Sequence, residues 1–114
     1  MVEVRIREDS RQRLSSFFAQ GHAGWAEAGT DIVCAAVSTL LQAAWLGLTE
    51  HAKIKVSASR RAGRLELRWP AAAREREDVR AILTTAVLSL ECIAAQYPGH
   101  VRVVKESERP QREG

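Results

Sequence analysis

A helix that is apolar on nearly every side has to be buried on nearly every side, and the segment after Thr30-Asp31 reads as such a helix. Thr30-Asp31 is an N-cap signal, and the pattern predicts a helix from there to about Thr49 or His51. Ile32, Val33, Ala35, Ala36, Val37, Leu40, Leu41, Ala44, Leu46 and Leu48 spread well beyond one stripe. A chain of 114 residues suits one domain with one core. A single sheet cannot hide so much of one helix, so a second helix or a second subunit has to cover the surplus.

The rest of the chain supplies the sheet. Val2, Val4 and Ile6 alternate with Glu3, Arg5 and Arg7, the period of a half-buried strand. Asp9-Ser10 is a turn signal, and a second strand is expected from about Gln12 to Ala19, with Leu14 inward and Arg11 and Arg13 outward. The turn between them lacks the glycine that marks a strong hairpin. A second hairpin joins Lys53–Ser59 to Arg64–Trp69 around Arg61-Ala62-Gly63. Ile54, Val56, Leu65, Leu67 and Trp69 face one way; Lys53, Lys55, Arg64, Glu66 and Arg68 face the other. After Pro70, the spacing of Val79, Ile82, Leu83, Ala86, Leu90, Ile93 and Ala94 predicts a helix from Ala73 to about Gln96, stopped by Pro98-Gly99. Val101–Val104 reads as a last short strand, and residues 107–114 as a solvated, disordered tail. The expected fold is α+β: ββαββαβ order, with two long helices on one face of a small sheet. Residues 1–106 then form a single two-layer domain.

Composition narrows the function. Hydrophobic residues make up 46% of the chain and charged residues 27%, as in ordinary soluble domains. There is no uninterrupted run of about eighteen apolar residues, and the alternating start has no signal-peptide core. The chain therefore reads as cytoplasmic with no membrane association. A net charge of +3 with 5% aromatic residues is a weak footprint for a nucleic-acid reader. Cys34 and Cys92 are expected as free thiols. Without C-x-x-C or H-x-x-x-H spacing, and with the three histidines scattered, no metal and no cofactor is expected.

One stretch carries chemistry: Gly21-His22-Ala23-Gly24-Trp25-Ala26-Glu27-Ala28-Gly29-Thr30-Asp31-Ile32-Val33-Cys34-Ala35-Ala36-Val37-Ser38. Cys34 is expected in the first helical turn, where unpaired amides and the positive dipole end favour a thiolate. His22 lies in a loop punctuated by Gly21, Gly24 and Gly29 that can fold back over the helix start, and a cysteine within reach of a histidine is the minimum for thiol catalysis. Mobile glycine-flanked loops can close over substrate and reopen. Each residue also has a plainer reading. Cys34 could be a small core residue, His22 a solvated loop residue, Asp31 a capping acid and Glu27 a loop charge. Cys92, on the apolar side of the second helix, reads as structural. Spacing alone makes only a weak case for catalysis.

The Gly-His-Ala-Gly … Asp-Ile-Val-Cys-Ala-Ala-Val-Ser pattern resembles the signature of the bacterial ribosomal-processing cysteine proteases. Leu46-Gly47-Leu48, Leu65-Glu66-Leu67 and Ile93-Ala94-Ala95-Gln96-Tyr97-Pro98 also look like that family, so the resemblance extends to about Val104. It implies a cysteine endopeptidase that removes an N-terminal extension from large-subunit ribosomal protein twenty-seven during ribosome biogenesis. It also implies Cys34 as nucleophile, His22 as base, Asp31 in an orienting or capping role, and a homodimer. Trp25 stands where the family often has tyrosine, and Ala28 where something bulkier or more polar is expected. Ser16-Phe17-Phe18-Ala19 looks like the cleavage motif of that substrate, but its place in a strand keeps it out of an active site.

Two other functions compete. A non-catalytic module could hold ribosomal RNA on a basic sheet face made of Arg5, Arg7, Arg11, Arg13, Lys53, Lys55, Arg64 and Arg68. The same thiol chemistry could instead serve a thioester or other acyl hydrolase. The protease reading needs a protein substrate and no nucleic acid.

Overall fold

The computed structural model describes residues 1–21 and 30–108, with the backbone alone for Thr30 and Asp31. Five strands, β1 (Val2–Glu8), β2 (Leu14–Gln20), β3 (Ser57–Arg61), β4 (Arg64–Arg68) and β5 (Val101–Ser107), form one sheet in the order β3-β4-β2-β1-β5. All neighbours are antiparallel except β1 and β5, which run parallel in register from Val2↔Val101 to Glu8↔Ser107. Two helices, α1 (Thr30–Leu46) and α2 (Glu77–Gln96), complete the α+β fold in the expected ββαββαβ order.

Alternation along the strands decides which face the helices cover. Val2, Val4, Ile6, Phe17, Ala19 and Leu67 are buried in one cluster with Val33, Cys34, Val37, Leu41 and Ala44 of α1 and Val79, Leu83, Ala86, Val87 and Leu90 of α2. Trp69 closes the end of this core at 1% exposure. Its indole Nε1 donates to the Leu14 carbonyl at 2.7 Å, and its ring meets Phe17 edge-on at 5.1 Å. The Ser16-Phe17-Phe18-Ala19 segment is paired on both sides, to β1 and to β4.

The β1–β2 turn manages without glycine because Asp9 builds it. The Asp9 carboxylate accepts from the Arg11 and Arg13 amides at 2.9 and 3.0 Å and from the Arg13 and Arg74 guanidinium groups at 3.0 Å each. Gln12 takes the left-handed conformation, φ 64°. Burial by itself would raise the Asp9 carboxyl, but these hydrogen bonds outweigh it and bring its pKa down to about 2.

Several boundaries differ from the sequence expectation. The first helix turns into a π-helical turn at Gly47–His51, where a side chain on Gly47 would meet Ile82 of α2 at 3.2 Å. Residues 53–56 precede β3 and are not strand, although Ile54 and Val56 still pack on the core. A 3-10 turn at Ala71–Ala73 comes before α2, which starts at Glu77. The expected tail is shorter at its start. Ser107 is paired in β5, and Glu108 accepts from Ser15 Oγ at 2.8 Å and Arg68 at 2.5 Å.

The expectation that α1 is buried on most sides holds for one stripe only. Val33, Val37, Leu41 and Ala44 are buried, while Ile32 and Leu46 are 68% and 61% exposed. Ile32–His51 is long and apolar enough to cross a membrane by composition. Burying side chains the size of Val33, Val37, Leu41 and Leu48 contributes about 1.5–3 kcal/mol each, so the sheet claims this stretch as its core helix.

Candidate active site

Cys34 is the fifth residue of α1, one or two residues further in than a cap at Thr30-Asp31 places it. Helical side chains lean toward the N-terminus of their helix, so its thiol is still directed toward the positive end of α1. It is 6% exposed and lies on the wall of a cavity of about 490 Å³, a volume typical of ligand sites. Val37, Ser38 and Leu41 continue that wall along α1, and Val2, Ala19 and Gln20 contribute from β1 and β2. The tip of the β3–β4 hairpin, Arg60–Leu65, closes the far side. Ser38 Oγ accepts from Gln42 Nε2 at 2.8 Å.

Gly21 fixes where the chain leaves β2. Its N–H donates to the Gly63 carbonyl at 3.0 Å, and its φ of +151° lies where side chains are rarely tolerated. A Cβ there would fall 2.5 Å from the Met1 carbonyl oxygen and 2.6 Å from Val2 Cα. Gly21 is thus clamped between the start of β1 and the hairpin that rims the cavity. His22, Gly24, Trp25 and Gly29 lie outside the described residues. Asp31 is the second residue of α1, and its side chain also lies outside the description.

Cys92 departs from expectation. It is exposed rather than packed in the core, and forms no disulfide with Cys34. Its sulfur accepts from Gln96 Nε2 at 3.3 Å. With Leu88, Ser89 and Ile93 of α2 and Ile32, Ala35, Ala36, Thr39 and Leu40 of α1, it lines a broad apolar groove. The expected stripe of α2 is otherwise met: Val79, Leu83, Ala86 and Leu90 are buried, together with Val87. Among the described residues, no group of His, Cys, Asp and Glu could hold a metal ion.

The outer sheet face is less basic than its sequence. Arg5 bonds Glu3 and Glu106 at 3.3 Å each, Arg7 bonds Glu106 at 2.8 Å and Glu66 at 3.4 Å, and Arg68 bonds Glu66 at 3.5 Å and Glu108 at 2.5 Å. Arg7 and Arg64 also stack on Phe18, each 5.2 Å from the ring centroid. Burial opposes ionisation of Glu108, but Ser15 and Arg68 hold its carboxyl below the usual range. Three of the six arginines assigned to an RNA-binding face, Arg5, Arg7 and Arg68, are thus already occupied by carboxylates on or beside the same sheet.

Sequence reasoning missed the hairpin rim. Arg61-Ala62-Gly63 reads correctly as a turn, but its position opposite Cys34 depends on β4 pairing with β2, which no local pattern encodes.

The family model of the cysteine protease Prp matches residues 1–102. The chain belongs to the Prp cysteine protease family. Similar solved structures agree with the fold. SMU.848 from Streptococcus mutans superposes with a TM-score of 0.85 at 27% identity, covering 95% of this chain and 96% of that one. The ribosomal processing protease Prp from S. aureus, in complex with a covalently linked product peptide, gives 0.81 at 23% identity. The same enzyme with a substrate peptide gives 0.82 at 22%. Each of these two matches covers 93% of this chain and all of the other. No curated protein matches the sequence.

Proposed function

We propose that this Prp-family protein is an endopeptidase that removes the N-terminal extension of large-subunit ribosomal protein twenty-seven, with Cys34 as nucleophile and His22 as general base and acid. The observation that carries the reading is Cys34, near the start of α1, on the wall of a peptide-sized cavity. The S. aureus relative, described as a ribosomal processing protease with substrate and product peptides, supports the substrate class.

In this mechanism His22 takes the Cys34 proton, and the thiolate attacks the scissile carbonyl. His22 returns the proton to the leaving amine, and a thioester remains on Cys34. Water, deprotonated by His22, then hydrolyses the thioester, releasing a carboxylate and restoring the thiol. Asp31 orients His22 or caps α1, and the loop carrying Gly21, Gly24, Trp25 and Gly29 closes over the bound peptide. Amides near the helix start stabilise the oxyanion, a contribution of about 3–4 kcal/mol in proteases of known mechanism. The enzyme uses no metal or cofactor, acts in the cytoplasm, and pairs through the α1/α2 groove as a homodimer.

The test is cleavage, followed by mass spectrometry, of a peptide copying the first fifteen residues of the same organism's ribosomal protein. Wild type should cut once, Cys34→Ala not at all, and His22→Ala orders of magnitude more slowly. Cleavage by Cys34→Ala would refute the mechanism.

A further inference from the structure

Three arginines sit at the tip of the β3–β4 hairpin, and the sheet register separates them. Arg61 pairs with Arg64, and Arg64 stacks on Phe18 on the outer face. Arg61 and Arg64 line a small outer-face hollow with Phe18, Ser59 and Glu66 and reach the Cys34 cavity only at its hairpin rim. Arg60 belongs to the other row. It pairs with Leu65, Leu65 with Ala19, and Ala19 with Val4. Ala19 and Val4 are buried beneath the helices, so side chains alternate such that Arg60 shares the helix side of the sheet with Cys34. It lines the same cavity.

Its electrostatic situation, shared with Arg61 and Arg64 at the hairpin tip, differs from that of the arginines paired elsewhere. Arg5, Arg7, Arg13, Arg68, Arg74 and Arg102 each have a carboxylate within 3.5 Å. Arg60 has no ion pair or hydrogen bond among the described residues. The lining around it is mostly apolar: Val2, Ala19, Val37, Leu41 and Leu65. A guanidinium facing such a cavity without a carboxylate of its own chain is a ready anion receptor, and its planar fork matches a carboxylate with two parallel hydrogen bonds.

We propose that Arg60 is a specificity residue that binds a carboxylate of the peptide in the Cys34 cavity. This rests on the protease reading above only in taking a peptide as the occupant. The carboxylate has two sources: an acidic side chain of the substrate, or the C-terminal carboxylate that hydrolysis creates on the released fragment. The experiment separates them. The full chain carrying Cys34→Ala is titrated, by fluorescence anisotropy, with labelled fragments of the ribosomal extension ending as free acid or as amide. A second series carries Glu or Gln at successive positions.

In one series the acid should bind about three- to tenfold more tightly than its amide or Gln counterpart, the range for a partly exposed charged hydrogen bond. Adding Arg60→Gln should abolish that preference, Arg60→Lys should keep part of it, and Arg102→Gln, which removes a cation paired to Glu3 on β5 away from this cavity, should leave it intact. Arg60 lies on an exposed edge strand, so these variants should fold, and their thermal melts check this. An acid preference in the free-acid series assigns Arg60 to product retention; one in the Glu series assigns it to substrate choice. Equal binding of acid and neutral peptides, or a preference that survives Arg60→Gln, overturns the proposal. Discriminating binding without cleavage by wild type would instead sink the protease reading alone.

Discussion

Replacing Gly21 by alanine tests whether the chain is clamped where it leaves β2. The new methyl would sit 2.5 and 2.6 Å from backbone atoms of Met1 and Val2, which cannot move aside by changing rotamer. The φ of +151° adds backbone strain of about 1–3 kcal/mol, and relieving the clash by shifting β1 or β2 adds a similar amount, about 1–3 kcal/mol. A loss of about 2–6 kcal/mol is a large fraction of a typical stability of about 5–15 kcal/mol. With unfolding entropy of about 2.1 cal/mol/K per residue, that lowers Tm by roughly 8–25 °C. Gly99→Ala is the control, because a Cβ there meets nothing within 4 Å; it should leave Tm unchanged or raise it by about 2–4 °C through the unfolded state. Circular-dichroism melts of the three proteins decide the matter. A Gly21→Ala protein melting within about 2 °C of the parent would refute the clamp, as would an equal loss from Gly99→Ala.

Trp69→Phe strands the partly buried Leu14 carbonyl and loosens the Phe17 contact, so urea unfolding should show a loss of about 1–2 kcal/mol; an unchanged midpoint would contradict this. Asp9 titrates near 2 when folded, below its ordinary 3.8, so its stabilisation is present above about pH 4 and lost as pH falls toward 2. Asp9→Asn should therefore cost up to about 2 kcal/mol at pH 7, with melts of variant and parent converging near pH 2; a gap constant with pH would count against the assignment. Leu88, 61% exposed beside the α1/α2 groove, should break the proposed homodimer when changed to Glu, and sedimentation at micromolar concentration should fall from twice the chain mass to one.

What could be read from the sequence was whatever repeats locally. The alternation of Val2, Val4 and Ile6 gives β1 and its inward face, and the spacing of Val79, Leu83, Ala86 and Leu90 gives the buried side of α2. Cys34 was found through its motif, and the structure puts it in a cavity. Cys92 was misplaced because α2 has apolar residues on two flanks, and periodicity cannot say which flank meets the sheet. The basic face was overestimated for a related reason. Glu66 and Glu106 lie far along the chain from Arg7, as Glu108 does from Arg68, and only sheet pairing brings them together. The membrane-length composition of Ile32–His51 is a third case, since length and hydropathy do not distinguish a lipid partner from a sheet.

The parallel pairing of β1 with β5 also sets a timetable for the newborn chain. β1 can close on β2 as soon as the Asp9 turn is made, but its other edge waits for Val101–Ser107, about a hundred positions later. At synthesis rates of about 5–20 residues per second, that wait is roughly 5–20 s. Meanwhile Val2, Val4 and Ile6 stand in a strand with an open flank, the arrangement that recruits stray strands. The arginines and glutamates alternating along β1 then serve a second purpose: before they find their final partners they keep that open flank charged, and a foreign strand has to meet them first.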